Sequence, residues 1–306
     1  MLPFYSYVAG RNLLFSTTDS EQYFEFYKNL DFERIFDFQF EIGFSYISYL
    51  FKNVFSFSYY NFVTFFIFFG LALKMHVFSK YRNFVLYFIL YTFCLFVFFE
   101  ALIVRASVAI AIVIYAYSII EKKFLRSLLC LLISILFHSS MAVFILPFLI
   151  LKTIKKGINT KYVLVLFLFT FIISFKLFDL LFFIPRFGVY FILNPEYFNI
   201  WGLPLVLISI ISIYFISNNY KNLDLFRKCL VYESIFLMFL TILFYKISMV
   251  SIRFHDLAHV IILFLLCSNM TKYNFKISFC LLFVYSFLLL FLKVFDGPAF
   301  ILEIIK

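Results

Sequence analysis

The sequence predicts an all-α polytopic membrane protein, and three observations predict it. First, 65% of the 306 residues are hydrophobic and 14% are charged, with a mean hydropathy of +1.04, far from the balance of a soluble domain. Second, the apolar residues come in runs of about 15 to 20, which as helices cross a hydrocarbon core of about 30 Å. Third, the basic residues cluster between the runs, where they orient membrane helices. The net charge of +10 is therefore a topological signal, and no nucleic acid is expected as a partner.

Taken in order, residues 1–58 read as an outer-face segment. Asp19, Glu21, Asp31, Glu33, Asp37 and Glu41 make it too polar for a span. Export of such a segment needs a hydrophobic helix ahead of it, and Met1 to Phe15 is too short and too polar, so an upstream helix is expected. Thr18 and Glu21 have capping-box spacing. The helix that follows carries Asp19, Tyr23 and Tyr27 at i, i+4 and i+8 on one face. Asp19 also complements the positive end of the helix macrodipole, and the tyrosines equally suit interfacial anchoring. Glu41, Ile42, Gly43 and Phe44 open a second stretch, with Phe44, Ile47, Leu50 and Phe51 on one face, expected to lie in the membrane interface.

The transmembrane domain is 59–296, followed by a tail, 297–306. About ten segments qualify as crossings: Tyr59 to Leu73, Phe84 to Phe99, Ile103 to Ile120, Phe124 to Phe137, Met141 to Leu151, Tyr162 to Ile184, Leu203 to Ile216, Leu230 to Tyr245, Ile252 to Cys267 and Ile277 to Phe295. If the first runs inward, fifteen basic residues, from Lys74 to Lys276, fall in inner connections, and five (Arg105, Lys176, Arg186, Lys246 and Arg253) fall in outer ones. That split follows the positive-inside rule. The apolar run Phe124 to Leu151 has Lys122, Lys123 and Arg126 at one end and Lys152, Lys155 and Lys156 at the other. Both ends read as inner, so the run enters and returns as two short crossings or a re-entrant hairpin, with Phe137, His138, Ser139 and Ser140 at its tip. The five cysteines (Cys94, Cys130, Cys229, Cys267 and Cys280) lie in apolar segments without a C-x-x-C pair and read as reduced packing residues. The 52 phenylalanines accompany abundant Ile, Lys, Asn and Tyr, the bias of an AT-rich coding sequence, so their number carries no functional weight.

This topology gathers Arg105, His138, Arg186, Trp201, Arg253, His255 and Asp256 on the outer side. Ionisable groups at membrane depth cost several kcal/mol unless they face protein or a water-filled cavity, so they mark function by default. The succession Asp19-x3-Tyr23-x3-Tyr27, Glu41-x-Gly43-Phe44, Arg105 opening an Ala/Ile-rich helix, and Phe137-His138-Ser139-Ser140 before a proline-ended helix resembles, in order and spacing over roughly residues 11–151, the EpsG family of Wzy-type polysaccharide polymerases. Arg253, in the stretch SIRFHDL, resembles a further family position. The family usually has Arg-Gln/x-Gly where this chain has Arg105, Ala106 and Ser107.

The resemblance implies a GT-C-like glycosyltransferase in the bacterial cytoplasmic membrane. It would join undecaprenyl-pyrophosphate-linked oligosaccharide repeat units on the periplasmic or outer face, without nucleotide sugar, cofactor or metal. Membrane lipid, a chain-length regulator and a flippase are the partners it implies. In such chemistry an acceptor hydroxyl attacks an anomeric carbon whose leaving group is a lipid pyrophosphate, which calls for a base and for charge stabilisation. Arginine binds phosphate bidentately and keeps its proton in any environment. Arg105, Arg253 and Arg186 are thus the pyrophosphate candidates, against the plainer reading that each snorkels to the interface. Tyr23, Tyr27, Ser139 and Asp256 are candidates for contacting sugar.

Asp19, Glu41 and His138 are all open as the base. An unperturbed histidine titrates near 6.5, which suits proton transfer, but His138 equally suits holding a loop through Ser139 or Ser140. Ser139 shows no nucleophile elbow and no carboxylate partner in the sequence. His255 and His259 share a helix face as metal ligands must, yet aspartate stands where a zincin has glutamate, so no metal is assigned. Arg253 and Asp256 read instead as an i, i+3 pair that orients the arginine. Glu233, inside a span, suits a transporter relay, and a flippase or transporter of lipid-linked oligosaccharide is the alternative function. Transporters of that kind usually show internal repeats and more broken spans.

Overall fold

The computed structural model describes residues 18–36, 40–81, 84–91, 103–145, 147–149, 223–245 and 247–268, together with Ile211, Tyr214 and Val284. Its contacts divide the chain into two units, Met1–Leu146 with Leu289–Lys306, and Pro147–Leu288. Every element among the described residues is helical and none is a strand, in keeping with the all-α expectation.

The first unit opens with α1 (Thr18–Asn29), a 3-10 turn (Glu33–Phe36) and α2 (Ile42–Tyr49), which runs into a π-helical turn (Leu50–Val54). Lys52 fastens this turn to α1, because its Nζ donates to the carbonyls of Lys28 and Leu30 at 2.7 and 2.8 Å, acceptors that a helix C-terminus leaves unsatisfied. Ser56 takes a left-handed φ of 53°. The turn it makes lets Phe57 N–H donate to Phe51 O at 2.8 Å, and Ser58 then caps the next helix by accepting from Asn61 N–H at 3.3 Å.

That helix, α3 (Tyr59–Phe78), is the one helix among the described residues that is long and apolar enough to cross a membrane. It leads to α4 (Phe84–Tyr91), α5 (Val104–Ile119) and α6 (Phe124–Phe137). From Val108 to Ile114 helix α5 is apolar on every side, and every residue from Ala106 to Ile114 is buried, as a helix segment without a polar face must be. Its small and branched side chains pack on both α3 and α6. Helix α6 has an inverted amphipathic pattern: Leu125, Leu129, Leu132, Ile133 and Leu136 are exposed, while Ser127 and Ser134 are buried and bond to the carbonyls of Ala116 and Leu131. A stripe more apolar outside than inside suits lipid and not water. Beyond it, a 3-10 segment (Ser139–Phe144) follows His138. The Phe144 carbonyl accepts from Tyr117 Oη near the far end of α5 at 3.0 Å, so the run turns back as its flanking charges suggest.

Three expectations need correction. The sequence places Lys74 in an inner connection after Leu73, but α3 continues to Phe78 and Lys74 is fully buried. Its Nζ donates to Tyr91 Oη and Ser107 Oγ, each at 2.8 Å, so it ties α3 to α4 and α5. An ammonium meets burial in this way by finding acceptors. In the second unit, α7 (Leu225–Leu243) starts at Leu225 and not Leu230, because Asp224 caps it by accepting from Arg227 N–H at 2.8 Å. Likewise α8 (Ser248–Ser268) begins ahead of Ile252, and Ser251 Oγ pins it to Thr241 O at 2.8 Å. The expected spans Tyr162 to Ile184, Leu203 to Ile216 and Ile277 to Phe295, and the part of Phe84 to Phe99 beyond Tyr91, lie outside the described residues.

Truncating Lys74 leaves a cavity and removes the donor from two hydroxyls. Lys74→Ala is expected to cost about 2 kcal/mol or more, measured as a lower thermal unfolding midpoint in detergent.

Candidate functional site

The first unit brings together four of the motifs that the sequence spaces far apart. Helix α2 presents Glu41 at its N-cap, with extended backbone (φ −64°, ψ 140°) and no side-chain cap bond to its own helix. The carboxylate is thereby available to reach across. Its Oε2 pairs with Arg105 Nη1. Its Oε1 accepts from Ser139 N–H at 2.9 Å and from Ser139 Oγ–H at 3.0 Å, and His138 Nδ1 stands 3.3 Å away. Ser140 Oγ, next in the chain, is buried and has no hydrogen-bond partner among the described residues.

Arg105 lies one residue inside the start of α5. Its Nε donates to Tyr23 Oη at 3.1 Å, and its guanidinium carbon lies 4.4 Å from the Phe40 ring centroid, 5.0 Å from Tyr23 and 5.6 Å from Phe44. Cation–π contacts of this kind contribute about 0.5–2 kcal/mol each and leave the edge of the guanidinium to make hydrogen bonds. The side chains of Arg105, Glu41 and His138 keep 15%, 18% and 10% exposure, so the pair is recessed yet reachable.

Why the two segments can meet is decided at Gly43. A Cβ there would stand 2.7 Å from the Leu136 carbonyl oxygen and 2.8 Å from Leu136 Cβ, closer than real contacts allow. The absence of a side chain lets the start of α2 press against the end of α6, beside His138 and Ser139. Phe44, on the following residue, fills the space beneath with Phe62 and Phe66 of α3, at centroid distances of 5.8 and 5.7 Å.

The electrostatics follow from this packing. Burial alone would raise the Glu41 carboxyl, but His138, the Arg105 charge and the Ser139 N–H together outweigh it and hold the group well below the ordinary carboxylate range. Tyr27, the third residue of the α1 face, is not part of the cluster. Its hydroxyl donates to Phe57 O at 2.9 Å, and burial pushes it up to about 12, so it stays a structural donor. Tyr23 and Tyr27 are both buried, which sets aside the interfacial-anchor reading.

The expectation that Ser139 lacks a carboxylate partner is overturned by Glu41. So is the Arg253–Asp256 pair: Arg253 is exposed and makes no ion pair among the described residues, and, with α8 starting at Ser248, it stands within the helix and not at its start. Arg253 and Asp256 belong to the second unit. His255 and His259 stack edge to face 4.2 Å apart, and no group of three or more potential metal ligands occurs among the described residues. The Asp19 side chain, Arg186 and Trp201 lie outside the described residues. Sequence reasoning missed Phe40 as part of the arginine cradle, and its one signal, adjacency to Glu41, is lost among 52 phenylalanines.

A family model, EpsG family, matches residues 1–303. The chain belongs to the EpsG family. That makes it a membrane protein with a role like that of exopolysaccharide and O-antigen polymerases, which are glycosyltransferase-like. No curated protein and no solved structure matches this EpsG-family chain.

Two outcomes are expected of the site. Gly43→Ala forces backbone apart at Leu136 and should cost about 1–3 kcal/mol, read as a lower unfolding midpoint. Because the folded Glu41 value is depressed, its stabilisation is complete above the unfolded value of about 4.3 and is lost as pH falls below it. Thermal melts from pH 7 to pH 3 should therefore show the gap between wild type and Glu41→Gln constant down to about 4.3 and narrowing beneath.

Proposed function

We propose that this chain is a polysaccharide polymerase that joins undecaprenyl-pyrophosphate-linked oligosaccharide repeat units on the outer face of the cytoplasmic membrane, with about ten crossings in a GT-C-like arrangement. The observation that carries the proposal is the gathering of an arginine, a carboxylate and an imidazole in one recess: Arg105 with Glu41 and His138. Glycosyl transfer from a lipid pyrophosphate needs both halves. The acceptor hydroxyl forms a bond to the anomeric carbon and gives up its proton, while the bond from that carbon to the phosphate oxygen breaks and its electron pair stays on the pyrophosphate. Arg105 neutralises that developing charge, and Glu41 or His138 takes the proton. Ser140 Oγ, buried beside them without a partner among the described residues, is a hydroxyl for the sugar to bond. Membership of the EpsG family supports the reading.

A strain lacking the gene tests it through its lipid-linked pool. Single repeat units exposed on the outer leaflet fit a polymerase, whereas units confined to the inner leaflet mean a flippase. Complementing that strain with Arg105→Lys keeps the charge but loses the fork and the Tyr23 bond. One charge-assisted bond of about 1.5–3 kcal/mol corresponds to chain extension slower by about tenfold or more, at near-normal protein abundance. Wild-type polymer from the lysine variant would sink the role given to Arg105.

A further inference from the structure

Arg105 offers five N–H donors; Nε is given to Tyr23 and Nη1 to Glu41, and aromatic rings lie close over the group. A phosphate that grips it bidentately must use two neighbouring nitrogens along one edge. Either edge includes a nitrogen already engaged, so an incoming anion meets Tyr23 or Glu41. Between these, Glu41 is the one that carries charge. A pyrophosphate beside an ionised carboxylate is repelled, and the repulsion is strong where water is partly excluded. Glu41 has somewhere to go, since its other oxygen stays tethered by two bonds from Ser139: rotation about that tether frees Oε2 without freeing the side chain.

We propose that the Arg105–Glu41 pair is a latch: the donor's pyrophosphate displaces Oε2 of Glu41 from Arg105, and only the displaced carboxylate accepts the acceptor hydroxyl's proton. The proposal rests on the polymerase reading and adds an order of events to it. While paired, Glu41 is a poor base, stabilised by a guanidinium, an amide and a hydroxyl. Once the donor holds Arg105, that stabilisation passes to the pyrophosphate and the carboxylate becomes basic. It takes the proton as the new glycosidic bond forms and the old one breaks to pyrophosphate. When the lipid pyrophosphate leaves, Glu41 gives its proton to solvent and re-pairs with Arg105, which also expels the product. The base is thus idle until the donor is seated, so the donor binds before the acceptor is activated.

The latch makes a prediction of opposite signs. Glu41→Gln keeps the size of the side chain and an oxygen for Ser139 but removes the competing charge. Binding of undecaprenyl diphosphate, without sugar, to the full chain in lipid nanodiscs should be about tenfold tighter in Glu41→Gln than in wild type, the scale of one charge-assisted bond released. Polymerisation by the same variant should be slower by about 100-fold or more, as for loss of a general base. Equal or weaker diphosphate binding by Glu41→Gln overturns the latch and leaves Glu41 an anchor. Failure of wild type to bind the diphosphate, with Arg105→Lys no different, would instead overturn the polymerase reading itself. If Glu41→Gln does not fold, the wild-type chain still decides: a water-soluble carbodiimide should modify Glu41 faster when undecaprenyl diphosphate is present, read by peptide mass spectrometry, and equal or slower modification overturns the latch.

Discussion

One carboxylate, that of Glu41, holds one end of the first unit together. It joins the start of α2 to the start of α5 through Arg105 and to the end of α6 through Ser139 and His138. Arg105 extends the connection to α1 through Tyr23. The bonded residues lie 64 to 98 positions apart along the chain, so no local propensity brings them together. Leaving either charge alone in so recessed a place would be costly, which makes the pair conditional on both partners.

The surroundings are built to keep this pair in one geometry. Aromatic rings of Phe40, Tyr23 and Phe44 close round the guanidinium, and Phe44 is in turn seated on α3. Gly43 removes the one side chain that would hold α2 off α6. Below, Lys74 ties α3 to Ser107, two positions along α5 from Arg105. The helix that presents the arginine is therefore held near that residue by a hydrogen-bonded tether as well as by apolar packing. Outside, the leucine stripe of α6 suits contact with hydrocarbon, which offers no competing hydrogen bonds.

The residues that carry the resemblance fall in separate parts of this arrangement. Tyr23, Glu41, Arg105 and the His138–Ser139 step meet in the site, whereas Tyr27 supports the fold through Phe57 O. Spacing alone assigns Tyr23 and Tyr27 the same role, because residues at i and i+4 share a helix face. What separates them is what lies opposite: an arginine for one, a loop carbonyl for the other.

The sequence by itself determined the helical class, the position of α5 and α6 to within a residue, and the residue types from which a phosphate site can be made, because hydropathy runs and isolated charges in apolar surroundings are local signals. The ends of α3, α7 and α8 were less legible, since Lys74, Arg227 and Lys228 read as loop charges until a capping carboxylate or buried acceptors are seen beside them. Only the tertiary structure decided that Glu41 faces Arg105, that Ser139 has a carboxylate partner, that Arg253 and Asp256 do not pair, and that Phe40 rather than any other phenylalanine covers the guanidinium. The physical reason is that a charge shows its cost in the sequence but not its partner: a buried ion must be compensated, and which group compensates it depends on which helices can approach, here on a glycine that lets two of them touch.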